Sequence, residues 1–199
     1  MAMLTANVKI NGTTPLLMKN PQTVDRFNPF TRRMAEINAK RTRRTDEDYL
    51  EMADLEIKSS LYWDDELGVY IPARWVMAGI CKVSHKVAKV SKADIRSSVF
   101  IVQSDVSLTY NKMNIVKNQN DIVGNEYFRH KMILPQGQIR IAKTTPIFHD
   151  WSFEFDIEFD NTIMDKKDFT RMLEHSALRG GFGDFRPTFG RAIAVVTHG

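Results

Sequence analysis

Cysteine is nearly absent from this chain of 199 residues, with Cys81 standing alone. One thiol cannot build an intrachain disulfide framework or a cysteine-rich zinc site, and such usage fits a reducing cytoplasm. A buried thiol is the expected state of Cys81. Long apolar runs are also missing, none approaching the roughly 18 residues that a membrane-spanning helix needs. Met1-Ala2-Met3-Leu4-Thr5 carries no basic region followed by an apolar stretch, so no secretory signal is expected. His85, His130, His149, His175 and His198 fall at no H-x-x-x-H or H-E-x-x-H spacing. No Walker motif, nucleophile elbow or dinucleotide fingerprint occurs. A metal site, a bound cofactor and a catalytic centre are therefore not expected, and Asp64-Asp65 read as a charged hairpin tip.

What is present is an ordinary share of apolar residues, 43%, against 26% charged, which is enough to bury a full core in one domain. The net charge of +4 is small, but the cations cluster, and clustering is what makes a polyanionic partner plausible. Arg26, Arg32, Arg33, Lys40, Arg41, Arg43 and Arg44 crowd one stretch, with Phe27 and Phe30 nearby. Lys82, His85, Lys86, Lys89, Lys92 and Arg96 form a second. Within it Lys82, Lys86 and Lys89 share one helix face, which is either ordinary amphipathicity or a track for a phosphate backbone. Acidic residues gather elsewhere, in 46–56, 64–66 and 154–160.

Leu4–Ile10 reads as a strand ending at Asn11-Gly12, followed by the short apolar segment 14–18. Asn28-Pro29 opens a helix through Lys40, and Thr45 caps a second helix to about Ser60. That second helix is expected to bury Tyr49, Met52 and Ala53, with Leu50 and Ile57 as further candidates. A hairpin spans 61–71, and a helix runs from Ala73 to about Val90. Strands follow at 99–102, 106–110 and 138–142, with the polar segment 111–126 between them read as a loop. Residues 151–160 alternate aromatic and acidic without a fault, giving a strand with one buried face and one wet acidic face. Asp165 begins the last helix, with Phe169, Met172 and Leu173 inward, and 192–196 closes the chain as a strand. The fold class is thus α+β, and without its insertions the order is compatible with a β-α-β-β-α-β ferredoxin-like, RRM-like plan.

Between the last helix and last strand lies Arg179-Gly180-Gly181-Phe182-Gly183-Asp184-Phe185-Arg186-Pro187-Thr188-Phe189-Gly190-Arg191. Gly180, Gly181, Gly183 and Gly190 let the backbone take positive φ and expose its N–H groups, and successive N–H groups can cradle an anion. Arg186 and Arg191 would supply forked donors for phosphate, and Phe185 and Phe189 faces for stacking or side chains for the core. A helix C-cap and chain reversal is the other reading of the same glycines.

Three landmarks fall in order: Pro15-Leu16-Leu17-Met18, Tyr70-Ile71-Pro72-Ala73-Arg74-Trp75-Val76-Met77-Ala78-Gly79, and the ending Thr188-Phe189-Gly190-Arg191-Ala192. Together they resemble the RAMP superfamily, the RRM-like backbone subunits of CRISPR effector complexes, with an IPGSSLKG-like helix start and a GFGR-like glycine loop. The chain also looks like a family of uncharacterised bacteriophage proteins sharing the "IP" turn, the "PIF–W" approach to a strand and the "GDFRP–FGR" ending. It departs from the RAMP pattern where Ala73 replaces a usual glycine, Arg74-Trp75 replace small serines, and Asp184 enters the loop. The resemblance implies one RAMP-like domain over 1–199, carrying a basic helical insertion at 21–60. It also implies side-by-side self-association along a strand.

The combined expectation is a non-catalytic, cytoplasmic, phage-encoded protein that binds single-stranded DNA or RNA and assembles into a homo-oligomer or filament. Its expected contacts are Arg32, Arg33, Arg41, Arg43, Arg44, Lys82, Lys86, Lys89, Arg186 and Arg191 beside the four loop glycines. Two alternatives stay open. One is a RAMP-type metal-dependent RNA endonuclease using Asp25, and the other a phage assembly or inhibitor module presenting the acidic face Glu154–Asp160.

Overall fold

Residues 152–160 form the strand their alternation predicts, with Phe153, Phe155, Ile157 and Phe159 buried and Glu154 and Glu158 exposed. The computed structural model describes residues 3–199, apart from the side chains of Ser84, His85 and Gln136. The place of His85 in the basic stretch therefore lies outside the described residues.

In chain order the elements are β1 (Met3–Gly12), β2 (Leu16–Leu17), α1 (Pro29–Ala39), α2 (Asp46–Ser60), β3 (Trp63–Asp64), β4 (Gly68–Pro72), α3 (Ala73–Val87) and α4 (Lys92–Ser98). There follow β5 (Val99–Ile101), β6 (Asp105–Ser107), α5 (Gln119–Val123), β7 (Arg129–Gln136), β8 (Ile139–Phe148), β9 (Ser152–Asp160), α6 (Lys166–His175) and β10 (Ala192–His198). Every strand pair is antiparallel. The main sheet has the order β10-β1-β9-β5, and two three-stranded sheets, β2-β8-β7 and β3-β4-β6, flank it.

One face of the main sheet builds the core. Val8 and Ile10 of β1, the four apolar side chains of β9 and Ala194 of β10 pack with Val76, Ile80 and Val83 of α3 and Phe169, Met172 and Leu173 of α6. Phe159 stacks on Phe169 with ring centroids 3.9 Å apart. Burying side chains of this size contributes about 1.5–3 kcal/mol each. The opposite face is wet. There Glu154 and Glu158 are exposed, and Asp156 accepts hydrogen bonds from Asn7 Nδ2 at 3.0 Å and Gln103 Nε2 at 3.3 Å.

The helical segment ahead of β3 is held against the β7–β8 hairpin. Thr45 and Asp48 close a capping box that starts α2, and Asp48 also takes the Lys40 ammonium, which holds its carboxyl below the usual range. Farther along α2, Glu56 accepts the Thr144 amide at 2.7 Å and Asp54 receives Arg129 at 2.7 Å. This docking turns Ile57 inward and leaves Tyr49 and Leu50 exposed, so the expected burial of Tyr49 is corrected. The polar segment 111–126 holds α5, whose capping box of Asn118 and Asp121 starts a short helix that buries Ile122 and Val123. It is a packed connection rather than a bare loop.

β10 closes the sheet over α6 through His198. Its Nε2 lies 2.9 Å from Thr170 Oγ1, and its ring packs near Phe159 and Phe169. Burial, and then the Lys166 charge, lower its pKa below the ordinary histidine value. The neutral ring is the native form, so the unfolded chain takes up the proton first as pH falls. This contribution is complete above about pH 6.5 and is lost as pH falls from there through the lower folded value. The thermal midpoint should drop between pH 7 and pH 5, and His198→Gln should flatten that drop. An unchanged drop in the variant would place its origin elsewhere.

Candidate nucleic-acid interface

The surroundings of the cations singled out by the sequence sort them, among the described residues. On α1 the Arg33 guanidinium is clamped by two carboxylates, with Nε and Nη2 on Glu51 at 2.6 and 2.8 Å and Nη1 on Glu36 at 2.9 Å. These bonds raise its already high pKa and lower that of Glu51. Arg33 ties α1 to α2, and each of its three guanidinium nitrogens donates to a carboxylate of the chain. Arg44 donates through Nε to the Arg41 carbonyl at 2.9 Å and lies 5.4 Å from the Tyr49 ring. Arg32 and Arg26 lie over the exposed Phe27 ring at 5.4 and 4.6 Å from its centroid. An aromatic face with two guanidinium groups is suited to both a base and a phosphate. Arg41 and Arg43 flank a short turn and are exposed. Asp25 accepts the Phe27 amide at 2.8 Å, which makes it a turn residue ahead of α1.

The glycine loop is built by contact with the chain's beginning. Its amides donate inward: Gly181 to the Ser176 carbonyl, Phe182 to Gly190, Asp184 to Leu17 and Gly190 to Pro15, all at 2.8–2.9 Å. Arg191 N–H donates to Thr14 Oγ1 at 2.9 Å. Gly181, Gly183 and Gly190 have φ of +66°, +73° and +70°. A Cβ on Gly183 would overlap the Leu17 carbonyl, and one on Gly190 the Phe182 carbonyl. The close approach that glycine permits is therefore used to seat the loop on the β1–β2 connection. These amides are directed away from any external anion, which corrects the expectation of an N–H cradle. Phe182 is core, edge-on to Trp151 and Phe153. Phe189 packs edge-on to His130 at 5.3 Å, and Phe185 is 40% exposed. Arg186 reaches back to the Gly181 carbonyl through Nη1 at 3.4 Å.

The second basic stretch is where the fold brings distant cations together. Lys82 and Lys86, one turn apart on α3, line a cavity of about 280 Å³ with His175 and Arg179 from the end of α6 and the turn after it. Arg179 also lines an adjoining open concavity with Leu178, Pro187, Thr188 and Arg191. Arg179 is thus shared by two concavities, one lined by Lys82 and Lys86 and the other by Arg191. Lys89 stands just beyond the end of α3 in a left-handed conformation, φ +56°, and is exposed without lining the cavity. Neither His175 nor Arg179 stood out as a contact in the sequence. Arg179 was visible as a cation beside the glycines, but its convergence with Lys82 depends on the packing of α3 against α6.

A solved fold matches nearly the whole chain. It is a chain of the type III-B Cmr-beta assembly bound to cognate target RNA, determined by cryo-electron microscopy, with a TM-score of 0.50 and 12% identity. The match covers 98% of this chain and 61% of that one, so the chain spans about three fifths of its neighbour's length. At that identity the likeness is one of fold. No family model matches the sequence, and no curated protein does. The acidic row of β9 lies on the sheet face opposite the one against which α3, the helix of Lys82 and Lys86, is packed. No described helix is long and apolar enough to cross a membrane.

Proposed function

We propose that the protein binds single-stranded nucleic acid, DNA or RNA, without cutting it, and that copies assemble side by side into an oligomer or filament along the strand. The observation that carries this reading is the pair of concavities that share Arg179, one lined by Lys82 and Lys86 and the other by Arg191. The exposed Phe27 with Arg26 and Arg32 adds a stacking site on the helical segment. In the same reading the sheet β10-β1-β9-β5 with α3 and α6 is a ferredoxin-like, RRM-like core of RAMP type, and 21–60 is its insertion. The strand order, and a neighbour whose assembly is bound to target RNA, support that view. The setting we propose is phage nucleic-acid metabolism in the host cytoplasm.

The binding energy would come mainly from counterion release at phosphates, so it should fall steeply with salt. If those four side chains each neutralise one phosphate, log K against log salt has a slope of about −3, and a fourfold rise in salt weakens binding roughly fifty-fold. Anisotropy titrations of labelled oligo-dT and oligo-U at two salt concentrations measure this. Arg179→Glu with Arg191→Glu should weaken binding at least tenfold and flatten the slope by about 1.4. Both are exposed side chains, so the variant should stay folded. Failure of the wild-type protein to bind either strand at low salt would sink the proposal.

A further inference from the structure

The cavity between α3 and the turn after α6 gathers basic side chains from two separate parts of the chain. Val83, Val87 and the buried Gly180 backbone form part of its wall, and Lys82, Lys86, His175 and Arg179 complete its lining. None of these four side chains makes a hydrogen bond or ion pair with the described residues, whereas Arg33, Lys40, Arg129 and Lys143 are each paired with a carboxylate. Like charges gathered around one cavity repel.

We propose that this cavity is a receptor for a terminal phosphate, a phosphomonoester dianion, carried by a strand end or by a free mononucleotide. A monoester brings a charge of about −1.5 to −2 at pH 7 and three acceptor oxygens, where an internal diester brings one charge. Arg179 offers a planar fork for two of those oxygens and the lysines offer point charges, a division suited to a compact dianion. The strand end as source rests on the nucleic-acid reading above; the recognition of phosphate does not.

Two measurements separate these. In the first, thermal unfolding is followed in inorganic phosphate and in a nucleoside monophosphate, against chloride at matched ionic strength. A ligand bound only by the native state raises the midpoint, and about 2 °C or more is expected at tens of millimolar. In the second, oligonucleotides with a 5′-phosphate, a 3′-phosphate or neither are titrated at one salt concentration. The phosphorylated end at which the strand enters should bind about tenfold more tightly than the unphosphorylated strand, a gain of one good charge-assisted contact set. Arg179→Gln should remove both effects, and Lys117→Gln, an exposed lysine ahead of α5, should leave both intact. If Arg179→Gln fails to fold, Lys82→Gln with Lys86→Gln, two exposed side chains, decides the matter. Phosphate shifts that survive these variants, or no shift with any phosphate, overturn the receptor. A phosphate shift without strand binding leaves the receptor standing and removes the nucleic-acid reading instead.

Discussion

Gly190→Ala is expected to destabilise the protein by about 3 kcal/mol or more, lowering the thermal midpoint by roughly 6–12 °C. Two costs combine there. The residue sits at φ +70°, where a Cβ is disfavoured, and that Cβ would overlap the Phe182 carbonyl and crowd the rest of its peptide unit. The obstructing atoms are backbone, held in place because Phe182 N–H donates to the Gly190 carbonyl at 2.8 Å. Gly137, at the tip of the β7–β8 hairpin, supplies the control. Its φ is +61°, but a Cβ there would meet nothing within 4 Å. Gly137→Ala should therefore cost only the conformational term, about 1–2 kcal/mol. Thermal or denaturant unfolding of both variants measures the difference. Equal losses would mean that crowding at Gly190 contributes nothing, and that the loop is not clamped as described.

The glycine loop shows where sequence reasoning reaches its limit. Four glycines and their neighbours were legible as an unusual turn, but what the turn touches was not. Leu17 and Pro15, which accept its amides, lie some 170 positions earlier, and nothing local marks them as acceptors. The same holds for Arg33. Its place in a basic stretch suggested an open contact, yet its partner Glu51 arrives from another helix 18 residues later. Charge density along a chain counts cations without their neutralising partners. Arg179 illustrates the reverse, a cation whose importance appears only when helices distant in sequence pack together.

Local signals served well where one segment decides its own structure. The faultless alternation of 152–160, the Thr45 capping box and the Asp165 N-cap each satisfy backbone or burial demands within a few residues. β7 shows the opposite case. Its residues Ile133 and Pro135 are exposed and it carries no apolar alternation, so nothing in 129–136 announces a strand. It exists because β8 pairs with it from Arg129–Pro146 to Gln136–Ile139, and because Asp54 of α2 holds Arg129. Pairing with a distant partner can supply what local propensity does not. The inward turn of Ile57 in place of Tyr49 has the same origin, since the face α2 buries is set by the hairpin it meets.

Trp151→Ala is expected to cost about 3–5 kcal/mol, the range for removing a large buried aromatic side chain. Trp151 is 2% exposed, nearly parallel to Phe153 at 6.0 Å and edge-on to Phe182 at 6.0 Å, so it joins the core strand β9 to the glycine loop. Its indole N–H donates to the Thr14 carbonyl at 2.8 Å, and the Gly12 N–H donates to its own carbonyl at 2.8 Å. Trp151→Phe keeps much of the apolar contact but leaves the Thr14 carbonyl without that donor, a loss of about 1–3 kcal/mol. The order Ala below Phe below wild type in thermal midpoint is the first check. A sharper one uses Gly12, where a Cβ would enter the indole ring. Gly12→Ala should be costly in the wild type and nearly free in the Trp151→Ala background, where the cavity can receive the methyl group. The two losses should thus fall well short of additivity in a double-mutant cycle. Additive losses would mean that Gly12 is required by the geometry of β1 rather than by the tryptophan it faces.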